Sequence, residues 1–229
     1  MSEAVAHGHL DDGQRGHHPR LQHQFDDLEQ QFESSKLGMW LFLVTEILFF
    51  GGLFMAYTLY RIWYYDAFVA GSNELDITLG ALNTAVLIFS SLTMAMGVRS
   101  AQLGHRKALV NWIILTMILG MVFLVVKGFE YHHKYVMHHI PGAYFQWDGV
   151  NGNQVQIFLS IYFCLTGLHA THMVVGLGIM TWLLVGAIRG KYSPQWYTPV
   201  EIAGLYWHFV DIVWIFLFPM LYLVNRHAH

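Results

Sequence analysis

The chain has 229 residues, of which 55% are hydrophobic and 12% charged, and its formal net charge is −3. Soluble domains carry roughly 25% charged residues, and nucleic-acid-binding domains carry a basic footprint that this charge does not provide, so we expect no nucleic-acid partner. The single cysteine, Cys164, excludes an internal disulfide, a Cys-x-x-Cys pair and a two-cysteine copper centre.

Residues 1–35 form a polar tail rich in Gly, His, Asp and Gln, which buries too little apolar surface to fold alone. Within the tail, residues 25–32 carry apolar side chains at helical spacing and are predicted to form a short interfacial helix. No cleaved signal peptide is expected, because the first apolar run is far longer than a signal h-region. We interpret five tail histidines as solvated, with adventitious metal binding as the alternative: His7, His9, His17, His18 and His23.

Five apolar runs follow the tail, and each reaches the roughly 20 residues that a helix needs to cross the bilayer hydrocarbon. They cover residues 37–64, 77–98, 109–131, 155–188 and 200–224. Residues 36–229 are therefore predicted to be one all-α domain, a polytopic bundle of five transmembrane helices. The fourth run is longer than a bilayer requires, which predicts tilt or a projecting end.

Lysine and arginine are distributed unevenly between the two sides of this predicted bundle. The tail and the two loops on its side hold eight of them: Arg15, Arg20, Lys36, Arg99, Arg106, Lys107, Arg189 and Lys191. The opposite side holds four: Arg61, Lys127, Lys134 and Arg226. Because cytoplasmic loops are enriched in these cations, we expect a cytoplasmic N-terminus and an external C-terminus.

Ionisable side chains inside the predicted spans need a partner or a purpose, since they are unfavourable in hydrocarbon. Glu46 has no counter-charge in its own helix, so its partner must come from another helix, a lipid headgroup or water. A neutral acid that joins helices through hydrogen bonds is the alternative. Lys127 and Glu130 lie near one end of the third span.

The last two spans carry histidines at helical spacing. In the fourth, Thr166, His169, His172 or Met173, and Gly176 share one face, and we favour packed and hydrogen-bonded interhelical histidines over a metal chelate. Gly176 and Gly178 are predicted to allow close approach of a neighbouring helix.

In the fifth span, His208 and Asp211 are one turn apart and are predicted to be able to pair directly. That pair suits a metal site, a proton relay or a static hydrogen bond, and we favour the static role.

At these residues the sequence resembles subunit III of haem–copper oxidases across nearly its whole membrane part. One matching string lies in each span, in the order of the family. The strings are TEILFFGG at 45–52, LNTAVL at 82–87, EY at 130–131, TGLHATH at 166–172 and YWHFVDIVWIFL at 206–217. The motif residues that we expect to form a polar network are Asn83, Glu130, His169, Trp207, His208, Asp211 and Trp214.

The resemblance implies an accessory subunit with a V-shaped fold and a lipid-filled cleft. Such a subunit packs beside subunits I and II, which hold the haem and copper, and it carries no redox centre itself. It sustains proton uptake and protects the active site during turnover, with cytochrome c as electron donor to the complex. By motif, Glu46 and His172 would line the cleft, and Arg189 and Lys191 would face lipid phosphate.

Longer members of this family have seven helices, and this chain lacks the first two, so the resemblance implies a cleft that is bounded differently. Oxidase cores use about six intramembrane histidines for two haems and a copper, whereas the spans here hold three: His169, His172 and His208.

A bacterial cytoplasmic membrane is the expected location.

Four alternatives to a cytochrome c oxidase subunit stay open. Within the family, a quinol oxidase is less favoured, because quinol-type members often carry Asp where this chain has Glu46, and an accessory subunit of nitric oxide reductase is possible. A stand-alone proton transporter would use Glu46, Glu130, Asp211 and the three histidines as its relay. A haem- or copper-binding redox protein would use His169, His172 and His208.

Overall fold

The computed structural model describes residues 24–142, 144–147 and 149–224. In these ranges the chain forms six α-helices: α1 Leu28–Trp63, α2 Tyr65–Asn73, α3 Ile77–Gln102, α4 Arg106–Val136, α5 Gly152–Ile188 and α6 Thr198–Tyr222. The tail histidines, Arg15, Arg20 and Arg226 lie outside the described residues.

Within the described ranges, five helices are long and apolar enough to cross a membrane, namely α1, α3, α4, α5 and α6. The predicted all-α bundle of five transmembrane helices is therefore confirmed. Two of them are much longer than a bilayer, since the 36 residues of α1 and the 37 of α5 extend about 54 and 56 Å at 1.5 Å per residue.

The start of α1 differs from the sequence prediction. α1 begins at Leu28, where the Asp27 side chain caps it by accepting the Gln30 N–H at 2.7 Å, and it continues without a break to Trp63. The segment predicted as a short interfacial helix, residues 25–32, is helical from residue 28 onward and continues directly into the first span. Residues 33–37 contain neither Pro nor Gly to interrupt a helix, so the surface segment and the first span form one helix.

The short helix α2 was not predicted. It follows α1 directly and buries Ala67, Phe68, Gly71 and Ser72. The Phe68 ring packs edge-on against Phe158 of α5, with ring centroids 5.2 Å apart. Nine residues are too few for a periodic pattern to separate them from a loop, so no sequence pattern predicts this helix.

The four helices α3 to α6 pack together, while α1 stands largely apart from them. In the most apolar stretch of α1, 11% of residues are buried, against 28–56% in the other four spanning helices. The centre of the packed group is Trp207 of α6, because an added Cβ at Gly120 or Gly176 would lie 2.8 or 2.9 Å from its ring. An added Cβ at Gly178 would have no neighbour within 4 Å. Of the two glycines predicted to allow close helix approach, only Gly176 therefore has that role.

Candidate functional site: a groove beside α1 and a buried polar interior

A groove of about 780 Å³ separates α1 from α5 and the start of α6. Its walls are mostly apolar and aromatic. On α1 the lining residues run from Gln31 to Glu46, which is about 23 Å along the helix axis. The main apolar lining residues are Met39, Phe42, Val175, Ile179, Trp182 and Ile202. A long apolar groove of this volume fits a hydrocarbon chain.

The deep end of the groove holds an acid–imidazole pair. Glu46 Oε2 of α1 lies 3.2 Å from His172 Nε2 of α5, and the two side chains are 19% and 15% exposed. Of the three partners that the sequence allowed for Glu46, namely another helix, a lipid headgroup or water, the structure shows the first. Tyr206 of α6 completes this end, since its hydroxyl donates to the His172 carbonyl at 3.0 Å.

The surroundings of the imidazole determine where its proton lies. His172 Nδ1 is 2.9 Å from the Leu168 carbonyl oxygen, which only accepts, so Nδ1 carries a hydrogen. In neutral imidazole Nε2 is then an acceptor, and Glu46 must donate a proton to it; in imidazolium Nε2 donates to the carboxylate. In either form the hydrogen bond between Glu46 and His172 requires one proton shared by the pair.

Near the other end of the groove, a weak ion pair that the sequence did not reveal joins α1 to α6, although neither of its residues lines the groove. Lys36 Nζ of α1 lies 3.8 Å from Glu201 Oε1 of α6 and 5.0 Å from the centre of the Phe32 ring. Phe32 itself packs against Tyr197, with ring centroids 6.0 Å apart. Residues 36 and 201 are too distant in sequence for a spacing rule to pair them.

Arg189 and Lys191 do not belong to this groove. Arg189 caps the C-terminal end of α5, both residues are exposed, and neither lines the groove. Of the four predicted lipid-binding residues, the fold thus brings together Glu46 and His172, and it leaves the two cations at the membrane surface.

A second polar cluster is buried between α4, α5 and α6. Lys127 Nζ lies 3.0 Å from Glu130 Oε2, 3.0 Å from the Tyr162 hydroxyl and 2.9 Å from the Tyr222 hydroxyl. Both tyrosines donate to Glu130 Oε1, at 2.7 and 2.6 Å. The Trp214 ring centre is 5.1 Å from the Lys127 ammonium, within cation–π distance.

The sequence could have suggested part of this cluster. Lys127 and Glu130 are three residues apart, a spacing at which helical side chains meet. Tyr162 and Tyr222 lie on other helices and give no such signal. The predicted network residue Glu130 is therefore in a polar cluster, and its partners are residues that were not singled out.

Three of the other motif residues, Asn83, His169 and Trp214, meet around Phe123 of α4. The His169 and Trp214 rings pack against Phe123 at centroid distances of 5.3 and 4.7 Å, and the Asn83 amide donates to the Phe123 carbonyl at 3.5 Å. The Trp214 indole donates to Thr84 Oγ1 at 3.1 Å. These contacts give His169 the interhelical packing that we favoured, but the expected hydrogen bonds are missing, since neither ring nitrogen has a partner among the described residues.

His208 and Asp211 do not pair with each other as predicted. His208 Nδ1 lies 2.6 Å from Ser91 Oγ of α3, and neither carboxylate oxygen of Asp211 has a hydrogen-bond partner among the described residues. Asp211 is buried on the side of α6 that carries Trp207 and Trp214, whereas His208 lines a shallow apolar groove on the other side of α1. One helical turn was not enough to bring them together, because each side chain has a different neighbouring helix.

The two histidines of the His-x-x-His pattern also face different neighbours. His169 is enclosed by Phe123 and Trp214, and His172 points to Glu46. In the part of the chain that the structure describes, no three His, Cys, Asp or Glu side chains converge as a metal site would require.

These features define a polytopic helical membrane protein with an acid–imidazole pair at the base of an apolar groove. The family model of cytochrome c oxidase subunit III matches residues 28–226, which is most of the chain. The chain therefore belongs to the cytochrome c oxidase subunit III family.

Individual relatives agree with this family. A probable cytochrome c oxidase subunit 3 of Nocardia farcinica is 33% identical over 189 residues, covering 82% of this chain and 87% of the relative. The subunit 3 of Thermostichus vulcanus is 31% identical, with coverage of 83% and 87%. That of Synechocystis is 35% identical, with coverage of 82% and 74%.

Proposed function

We propose that this chain is the accessory subunit III of a bacterial cytochrome c oxidase, and that it holds phospholipid beside the catalytic subunit without contributing a redox centre. The family membership supports the oxidase assignment. The observation that carries the lipid-binding role is the groove beside α1, with Glu46 and His172 at its deep end. Subunits I and II are its proposed partners, and cytochrome c is the proposed electron donor of the complex.

The shape and polarity of the groove support phospholipid as its occupant. Its wall of Met39, Phe42, Val175 and Ile179 suits an acyl chain, and the groove extends along α1 towards the exposed end where Lys36 lies. A chain in the groove would cover the Glu46–His172 pair and keep bulk water from it. Arg189 and Lys191, at the same end of the bundle, would contact headgroups at the membrane surface.

The distribution of exposed cations supports a cytoplasmic N-terminus. Six described cations lie at the end of the bundle where α1 begins: Lys36, Arg99, Arg106, Lys107, Arg189 and Lys191. At the other end, Lys127 and Lys134 are 4% and 2% exposed, so they engage protein groups instead of the membrane surface. Arg61 is the remaining described cation there. The excess of lysine and arginine on one side is what orients membrane proteins. This excess is therefore greater among the cations available to the membrane surface than among all lysines and arginines of each side.

Removal of the acid tests the proposed role in the assembled oxidase. We expect Glu46→Ala to leave the initial rate of oxygen reduction unchanged. The variant should complete fewer turnovers before inactivation, and its purified complex should contain less phospholipid. Glu46→Gln keeps a hydrogen-bonding side chain and should retain more lipid. Thr45→Ala, one residue away and outside the groove lining, is the matched control.

Two results would contradict the proposal. Turnover lifetime and lipid content that are the same in Glu46→Ala and Thr45→Ala would reject the lipid-binding role. Purification of the chain in mild detergent without any haem-containing subunit would reject the oxidase assignment. Proton flux through the chain alone in liposomes, or stoichiometric haem or copper on it, would favour the transporter or redox alternatives.

A further inference from the structure

We propose that a second groove, between the start of α4 and the end of α5, binds the headgroup of an anionic phospholipid. This groove has a volume of about 520 Å³ and is lined by Arg106, Lys107, Val110, Asn111 and Ile188. It shares no lining residue with the groove beside α1, and α1 takes no part in it. The proposal therefore stands independently of the proposed function.

Arg106 presents a cation in a fixed position. Its Nε donates to the Ala187 carbonyl at 3.0 Å, and its Nη2 donates to the Ile188 carbonyl. Both carbonyls lie in the last turn of α5, where Ala187 also accepts the Gly190 N–H at 3.0 Å. Gly190 makes room for this arrangement, because an added Cβ there would lie 3.2 Å from Nη1 and the backbone has a φ of +69°. A guanidinium has five N–H groups, so those that remain are available without further ordering of the side chain.

The local charge complements an anion. Arg99, Arg106, Lys107, Arg189 and Lys191 all lie within residues 99–112 and 186–200, and these two segments contain no acidic residue. The closest acidic residue in sequence, Glu201, lies 3.8 Å from Lys36. Lysine and arginine side chains near an anionic membrane surface attract its lipid headgroups.

The order of residues along the groove matches the order of groups in a phospholipid. Arg106 and Lys107 lie at the surface end, suited to the phosphate. Asn111 follows Lys107 by one turn, about 6 Å deeper, where its amide can donate to a glycerol ester carbonyl. Val110 and the half-exposed Ile188 provide apolar contact for the acyl chain. This gradient from cation to amide to hydrocarbon favours a lipid over free phosphate.

The test measures lipid binding to the full-length chain in its purified complex. After delipidation, native mass spectrometry follows titration with phosphatidylglycerol or with zwitterionic phosphatidylcholine. We expect Lys107→Gln to raise the apparent Kd of one phosphatidylglycerol site about fivefold and to leave phosphatidylcholine binding unchanged. Asn111→Leu should weaken both lipids by roughly three- to fivefold, since they share the ester carbonyl. Both side chains are exposed, so neither change disturbs the core.

Controls separate this site from general surface charge and from the groove beside α1. Lys36→Gln removes one exposed cation at the same end of the bundle, outside the second groove, and should leave the Kd of this site unchanged. An equal rise in Lys36→Gln and Lys107→Gln, or no rise in Lys107→Gln, would overturn the proposal. Displacement of phosphatidylglycerol by millimolar inorganic phosphate would identify free phosphate as the ligand and would also overturn it. Oxygen reduction is not the readout, so the outcome does not depend on the oxidase assignment.

Discussion

At the scale of single residues, Trp207 is the side chain that three other helices enclose. Its indole donates to Ser90 Oγ of α3 at 2.9 Å, and its ring lies against Gly120 of α4 and Gly176 of α5. The hydrogen bond fixes the ring, so it cannot move aside when a neighbour grows. Close approach of α5 and α6 therefore depends on the missing side chain at position 176.

Gly176→Ala should destabilise the chain by about 1–3 kcal/mol, because overpacking against a fixed ring has that effect. Gly178→Ala, two residues away with open space around it, should be neutral or stabilising by up to about 1 kcal/mol, from the helix preference of Ala over Gly. Denaturation midpoints of the two variants in the same detergent measure the difference. Equal midpoints would contradict the assigned role of Trp207.

The sequence predicted some residue contacts and missed others for a physical reason. It predicted that Glu46 has a partner outside its own helix, because an acid in hydrocarbon requires one. It could not identify that partner as His172, since helix rotation depends on packing between spans. The same limit explains His208, whose sequence spacing suggested Asp211 while the fold brings Ser91 of α3 to it.

At the scale of helices, the cluster around Lys127 joins α4, α5 and α6 near the end of the bundle opposite the N-terminus. Lys127 and Glu130 come from α4, Tyr162 from α5 and Tyr222 from α6. Every interaction in the cluster involves a charged group, which makes its hydrogen bonds stronger than neutral ones. Loss of one charge would leave the other buried without compensation.

Lys127→Met or Glu130→Gln alone should therefore destabilise the chain by about 3–5 kcal/mol. The double variant should recover part of that loss, because it leaves no buried charge unpaired. Thermal unfolding of the single and double variants gives the coupling energy of the pair. The exposed pair Lys36–Glu201 is the control, and its removal should change stability by less than about 1 kcal/mol. Purely additive effects of Lys127→Met and Glu130→Gln would argue against a coupled cluster.

At the scale of the whole molecule, hydropathy alone predicted the number of spanning helices, since the membrane requires long apolar segments. It could not predict the groove beside α1, which depends on how far one helix stands from the others. It also could not find α2, whose burial arises from contact with Phe158 of α5. Whether a segment spans the membrane depends on its own residues, whereas the space between two spans depends on how the helices pack.

The position of α1 depends on a contact near its C-terminal end. The buried Tyr57 hydroxyl donates to the Met220 carbonyl of α6, one of the last carbonyls of that helix. Tyr57→Phe should therefore accelerate amide hydrogen exchange along α1, because a buried hydrogen bond contributes about 1 kcal/mol. Tyr60→Phe, which removes a hydroxyl from a more exposed ring of the same helix, is the matched control. Equal exchange in the two variants would show that the Tyr57 contact does not hold α1.

The ends of α1 are held with unequal strength, and this has a mechanical consequence. Tyr57 attaches one end through a buried hydrogen bond, while the other end has the ring contact of Phe32 with Tyr197 and the 3.8 Å pair of Lys36 and Glu201. Salt weakens that ion pair. We therefore expect α1 to be held at its C-terminal end and to bend most easily at its N-terminal end. The acyl chain that we propose for the groove would enter sideways from the bilayer under this end of α1, without a separate gate.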